Sequence, residues 1–235
     1  MALVQKLPCR VQTLTAHADH VYTLELVPHA GYRIPRFLPG QFLHLALDDW
    51  DPTRFWPESR VFSIANSPEE SGLLRITYSV RGRYTSRMEK ELTCGMDVWV
   101  KLPYGDFVID STHAAALFAG GTGITAFTAF LSCAAFARPV LLAYGARRSE
   151  LLLYRELLER RASSTALLRA EFFSETPAPG TTTGRVSVDV VWPEWEQRDK
   201  CVCYLSGPPA MLKTLTAELS SVGVASDRIR TDAWE

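Results

Sequence analysis

Apolar and polar positions follow two different rhythms along this chain. Between Arg10 and Val108 the apolar runs are short and bounded by turn signals. Six of them, RVQTLTAH, VYTLELV, QFLHLAL, RVFSIAN, LLRITYSV and MDVWVKL, are rich in β-branched and aromatic residues and predict an antiparallel barrel or sandwich. Pro39-Gly40, Asn66-Ser67-Pro68, Ser71-Gly72 and Cys94-Gly95 supply turns between them. Across Gln41–Leu45 every second residue can face a core. Asp48 to Ser59 reads as a loop, and one helix is expected over Ser86 to Leu92.

After Ser111 strand and helix patterns alternate. AAALFAG is a short buried strand and GTGITAFTAFLSCAAF a helix; VLLAYG, the amphipathic SELLLYRELLERRA and RAEFFS follow. CVCYLSG, the helical PPAMLKTLTAELSSVG and the strand DRIRTDAW complete the series, with Thr176 to Gly184 as a loop. Strands separated by helices of this length predict an α/β doubly wound parallel sheet. Two domains are therefore expected, residues 1–110 and residues 111–235.

Composition narrows the function. Hydrophobic residues are 47% and charged residues 22%, values of a folded globular chain. The formal net charge of −1 argues against a nucleic-acid binder. The apolar stretch Ala114–Ala119 falls far short of the roughly 18 residues of a membrane span. MALVQKLPCRVQ lacks an apolar signal core, so a cytoplasmic location is expected. Five scattered cysteines do not form a disulfide framework, and Cys201-Val-Cys203 suits a buried strand. Neither the cysteines nor the histidines have metal-site or iron–sulfur spacing, and no oligomeric state is specified.

Three constellations carry chemistry. Gly121, Gly123 and Ala126 meet the G-x-G-x-x-G/A spacing between a strand and a helix, where backbone N–H groups can receive a pyrophosphate. The same glycines could simply make a βα turn. An acid at the end of the next strand is missing, for VLLAYG runs into Ala146-Arg147-Arg148; a plain dehydrogenase without flavin is thereby disfavoured. In Arg60-Val61-Phe62-Ser63 the arginine can meet a phosphate, the ring offers an apolar face and the serine a small hydrogen-bonding group. An ordinary half-buried strand is the alternative. Arg81-Gly82-Arg83-Tyr84-Thr85-Ser86 can cap a helix beside a second phosphate, or form a solvated basic loop that meets an acidic partner.

Taken in order, these pieces resemble the ferredoxin-NADP⁺ reductase superfamily. PGQF (Pro39–Phe42), RVFS (Arg60–Ser63), GRYTS, LPYGDF (Leu102–Phe107), GGTGIT, YGAR (Tyr144–Arg147) and SGPPAM (Ser206–Met211) fall in the family's sequence over nearly the whole chain. The resemblance implies a six-stranded antiparallel barrel binding FAD, followed by an α/β domain binding NADH or NADPH. By it, Arg60 contacts the flavin pyrophosphate, neighbouring Val61 belongs to the cofactor-binding segment, Phe62 packs on the flavin ring, and Ser63 hydrogen-bonds its redox-active nitrogen. Gly82, Thr85 and Ser86 complete the pyrophosphate site. Gly121, Thr122 and Gly123 hold the nicotinamide nucleotide, with Arg147 and Ser174 further along it. Ser206, Gly207 and Pro208 lie near the nicotinamide, and Asp232 and Trp234 occupy the place of a terminal Glu-x-aromatic.

The sequence departs from the family at Phe62 (commonly Tyr), Ala126 (often Pro), Ser206 (frequently Cys) and the bulky Trp234. Glu175 would repel a 2′-phosphate by roughly 1 kcal/mol for a solvated pair near 4 Å, which favours NADH, while Arg147 and Arg148 pull toward NADPH. The implied activity is hydride transfer from NAD(P)H through FAD to a separate carrier, ferredoxin-like or another iron–sulfur or haem component, or to a small acceptor. A flavin-binding electron-transfer or regulatory subunit that does not oxidise the nucleotide efficiently is the alternative.

Overall fold

Six strands, β1 (Gln5–Ala16), β2 (Val21–Pro28), β3 (Phe42–Ala46), β4 (Ser59–Ser63), β5 (Leu74–Ser79) and β6 (Asp97–Tyr104), form one antiparallel sheet in the order β4-β3-β6-β1-β2-β5. A computed structural model describes residues 3–133 and 135–232. The two-residue period does the work: along β6, Val98, Val100 and Leu102 are buried while Trp99 and Lys101 between them are not. With Leu24, Leu26, Leu43, Leu45, Leu74 and Ile76 they fill the core. The sheet curls into a nearly closed barrel, its end strands meeting where Ala65 N–H donates to the Arg75 carbonyl at 2.7 Å. The buried Asn66 side chain extends that seam. Its amide donates to Leu73 O at 2.8 Å, and its oxygen accepts from Arg75 N–H at 2.8 Å.

Helix α1 (Arg83–Glu91) starts three residues before the expected Ser86. Tyr84 and Met88, one turn apart, are both buried, and the Tyr84 hydroxyl donates to the Leu45 carbonyl at 2.8 Å. That anchor draws the start of the helix back to Gly82. Arg87 on its outer side binds both Asp48 oxygens and Glu91.

The chain divides into two units, Met1–Val108 and Ile109–Glu235. The second is a parallel sheet of β7 (Ala115–Gly120), β8 (Val140–Ala146), β9 (Leu168–Ser174), β10 (Thr182–Thr183), β11 (Val202–Ser206) and β12 (Ile229–Asp232), ordered β10-β9-β8-β7-β11-β12. Every residue of β7 is buried, as a central strand covered on both faces requires. Helices α2 (Thr125–Leu131), α3 (Arg155–Ser164), α4 (Val188–Val191) and α5 (Pro209–Ser221) connect the strands.

Three sequence expectations change here. Helix α2 is shorter than the GTGITAFTAFLSCAAF pattern, opening with a 3₁₀ turn over Gly121–Ile124 and stopping at Leu131. Arg161 takes up its terminal carbonyls, donating to Leu131 O at 3.1 Å and Cys133 O at 2.6 Å. The amphipathic stretch from Ser149 does not form one helix: Tyr154 sits at φ 60°, and α3 begins after it. The Tyr144 hydroxyl causes the break, accepting from Leu153 N–H at 2.9 Å and donating to Leu151 O at 3.3 Å. Finally, Thr182 and Thr183, expected in a loop, pair with Phe173 and Ser174 as a parallel edge strand. Cys201 and Cys203 are both buried, the latter within β11. No helix among the described residues is long and apolar enough to cross a membrane.

Candidate cofactor-binding sites

In the barrel unit, β4 and the start of α1 converge. Arg60 is exposed on β4, with its guanidinium 4.9 Å from the Tyr84 ring centroid. Glu58 lies between two arginines, 3.2 Å from Arg60 Nη2 and 3.3 Å from Arg83 Nη2. Glu58 was not expected at the site. Its one available signal is the two-residue spacing to Arg60, which places both on one side of an extended chain. The carboxylate keeps two like charges together on the surface.

Helix α1 has no acidic residue in its first turn, so no carboxylate of its own offsets its positive dipole end. Thr85 shapes the turn before the helix. Its hydroxyl oxygen accepts from Arg81 N–H at 2.9 Å and Gly82 N–H at 3.1 Å. Ser86 N–H closes the first helical bond onto Gly82 O at 2.9 Å. The N–H groups of Arg83, Tyr84 and Thr85 are then the first-turn donors without an intrahelical acceptor. A Cβ built on Gly82 would meet nothing within 4 Å, so the backbone there is open to close approach.

Phe62 is half-buried, opposite Leu43 in the β3 register, with its ring 5.9 Å from that of Tyr78. Val61 faces His44 across the same ladder. Ser63 is buried at the last position of β4, and Ile64 to Asn66 stay buried beyond it. Tyr78 behind Phe62 is 2% exposed, and its hydroxyl has no hydrogen-bond partner among the described residues. Burial pushes that phenol well above its usual range.

In the second unit the two glycines of the turn do different things. Gly121 has φ 54° and open space around it. Gly123 is packed: a Cβ there would overlap the Ser206 carbonyl oxygen and lie 2.8 Å from Gly207 N. Gly121 and Thr122 are thus the accessible part of the loop, whereas Gly123 lets two βα turns touch. Thr125 fixes the loop by donating to Thr122 O at 2.8 Å. Ser206 is fully buried at the end of β11, opposite Asp232 in the β12 register, and donates to Asp232 Oδ2 at 3.2 Å. Gly207 and exposed Pro208 lead from it into α5. Trp234, expected at the place of the terminal aromatic, lies outside the described residues.

Further along the strand ends, Arg147 is exposed after β8, and Ser174 is buried at the end of β9. Ser174 O accepts from Gly184 N–H at 2.8 Å, and its hydroxyl lies 3.4 Å from Thr176 Oγ1. Glu175 is not the unscreened charge the sequence suggests, because Arg185 Nε lies 3.3 Å from its carboxylate. Arg148 pairs with Glu150 at 3.3 Å. Arg185 carries no local sequence signal, as pairing of β10 with β9 brings it there.

Residues 117–216 match the oxidoreductase NAD-binding domain family. The chain is 24% identical to a flavohemoprotein of Rhizobium meliloti over 95% of its own length and 59% of that protein's. It is 26% identical to the reductase component of a propane 2-monooxygenase from Rhodococcus jostii, over 98% of this chain and 64% of that one. The chain thus spans roughly three fifths of these curated relatives. In fold it resembles the FAD/NAD-binding domain of a nitric oxide dioxygenase from Vibrio cholerae, with TM-score 0.83, 16% identity and coverage of 97% of this chain and 98% of that one. Residues 117–216 thus carry a match to an oxidoreductase NAD-binding domain, and the antiparallel barrel before them gives the chain the two-unit fold of these FAD/NAD-binding structures.

Proposed function

We propose that this chain is an FAD-dependent NAD(P)H oxidoreductase that delivers electrons to a separate one-electron carrier or a small acceptor. The observation that carries the reading is the open start of α1 at Gly82, flanked by the coupled arginines Arg60 and Arg83. Such a donor set suits a pyrophosphate. It offers fixed charge, first-turn N–H groups and no side chain to block approach. Phe62 presents a partly free ring face beside it, as an aromatic cofactor requires.

FAD, when bound, accepts two electrons as hydride and can release them singly, which joins a nicotinamide donor to a one-electron acceptor. This chain's residues bind and orient. Arg60 and Arg83 neutralise phosphate charge, and Thr85 holds the turn that presents the helix N–H groups. Phe62 carries the ring, with Ser63 at the strand end beside it. In the second unit Gly121 and Thr122 receive the dinucleotide phosphates, and Asp232 fixes the Ser206 hydroxyl. The reductase components of oxygenase systems among the relatives favour a separate protein acceptor.

Anaerobic absorption spectroscopy tests this. Purified protein supplied with FAD should show the flavin band, and NADH or NADPH should bleach it. A retained band that neither nucleotide bleaches would favour the flavin-binding regulatory subunit instead. Failure to retain FAD would overturn both readings.

A further inference from the structure

Two thiols lie together at the amino end of β11, the opposite end of that strand from the Ser206–Gly207 turn. Cys201 and Cys203 are two residues apart in extended chain, so both point to one face, and both are fully buried in one cluster. Their surroundings favour a thiolate at one of them. The Cys203 thiol donates to Cys201 Sγ, which lies 3.7 Å from the Arg198 carbonyl oxygen. Trp195 packs in the same cluster at 6% exposure, and its indole N–H has no acceptor among the described residues. A negative sulfur at Cys201 is the acceptor it lacks. Arg228 Nη1 donates to Asp199 O at 2.8 Å and to Cys201 O at 3.4 Å, which brings a guanidinium next to the pair. The Cys203 hydrogen bond, helped by Trp195 and Arg228, holds the Cys201 thiol below its usual range against the effect of burial, whereas Cys203 is pushed up. A cavity of about 400 Å³, lined by Trp192, Arg198, Asp199, Val224 and Arg228 among others, lies beside this end of the strand.

We propose that Cys201 and Cys203 form a peroxide-reactive dithiol, Cys201 attacking and Cys203 resolving, that closes reversibly to a disulfide. Hydrogen peroxide is the oxidant, and neither flavin nor nucleotide takes part, so this activity goes beyond the reductase reading. Cys201 sulfur, as thiolate, attacks one peroxide oxygen; an S–O bond forms, the O–O bond breaks, and the departing hydroxide leaves as water with the proton Cys201 gave up. Cys203 sulfur then attacks Cys201 Sγ; the S–S bond forms, the S–O bond breaks, and the second hydroxide leaves as water with the Cys203 proton. Two thiols lose two electrons and one peroxide gains them. Opening of the turn at Asp199 and Lys200 joins the cavity to Cys201, a local release of the kind strand ends allow. Extended residues two apart have Cα atoms about 6.6 Å apart, near the upper edge of the roughly 4.4–6.8 Å that a disulfide spans. Closure therefore draws Cys201, which lies outside β11, toward the strand at the expense of the 2.9 Å bond from Val202 N–H to Ala114 O. A disulfide closed under strain is readily reduced, which makes the change reversible.

Mass spectrometry of the full chain tests this. Trypsin cuts after Lys200 and Lys213, so one peptide, Cys201–Lys213, carries both sulfurs. After treatment with hydrogen peroxide and alkylation in denaturant, that peptide should be lighter by two hydrogen atoms and free of alkyl groups, ahead of any oxidation at the exposed Cys94. Dithiothreitol should restore both thiols. Cys203→Ala should stop the reaction one step earlier, with Cys201 held as a sulfenic acid that dimedone traps. Trp195→Phe, which keeps an aromatic ring but removes the N–H donor, should slow the oxidation about tenfold, the loss of one hydrogen bond to a charged group. A native peptide that stays reduced while Cys94 is oxidised, or a rate unmoved by Trp195→Phe, would overturn the proposal whether or not Cys203→Ala folds.

Discussion

The two units each start a helix from a glycine-bearing turn, and the two turns are built to opposite ends. At Gly82 the backbone is extended, with φ −158°, a conformation any residue adopts, and the space around it is empty. At Gly123 the space is filled by the Ser206–Gly207 backbone of the neighbouring βα turn. One glycine leaves room for something outside the chain; the other lets the chain touch itself. A glycine in a phosphate-loop spacing is therefore no measure of ligand contact until its surroundings are known.

Alanine substitution separates the two roles. Gly123→Ala should cost about 2–3 kcal/mol, because a backbone carbonyl, unlike a side-chain tip, cannot step aside. Urea denaturation would read that loss, and a change within the error of the fit would show that the turns part freely. Gly82→Ala should shift stability by no more than about 0.5 kcal/mol while weakening flavin binding. On the barrel side, Arg60→Ala should raise the FAD dissociation constant by about 10- to 100-fold, equivalent to losing one charged hydrogen bond. Fluorescence titration measures it, and unaltered affinity would remove Arg60 from the site.

Tyr78→Phe should stabilise the barrel unit by about 1 kcal/mol, since it deletes a buried hydroxyl with no partner among the described residues and keeps the ring under Phe62. Thermal unfolding checks this, and a loss of stability would mean that the hydroxyl is bonded in solution. The smallest effect is expected at Asp110. Hydrogen bonds from the Thr112 side chain and backbone and from His113 lower its pKa from 3.8 to about 2. A depressed carboxyl stabilises the fold fully above 3.8, and that contribution fades as pH falls through about 2. Exposure keeps it small. Asp110→Asn should flatten the acid limb of the unfolding curve between those values, and an identical limb would refute the assignment.

Both sheets could be read from the sequence because each depends on local rhythm, two-residue alternation in β6 and unbroken burial in β7. The motif order carried the resemblance and the two-unit fold, yet it did not reveal how each residue is held. Thr85 is a backbone cap and Gly123 a packing contact because of neighbours set by turn geometry and strand order. Glu58 between Arg60 and Arg83, and Arg185 on Glu175, depend on side chains meeting across 25 and 10 residues of chain. The amphipathic stretch from Ser149 had the right period, but a single tyrosine from β8 claims its backbone and delays α3.

The Asn66 seam has a consequence for how the barrel breathes. Where the end strands meet, a side-chain amide stands in for rungs of the ladder, bonding Leu73 and Arg75 just beyond Phe62 and Ser63. Local opening is cheapest where backbone pairing is thinnest, so amide protons along this junction should exchange with solvent before those of β1 or β6. Occupancy of the adjoining β4 stretch by a prosthetic group then slows that exchange, and any loosening of the junction lowers retention of the group by the same free energy.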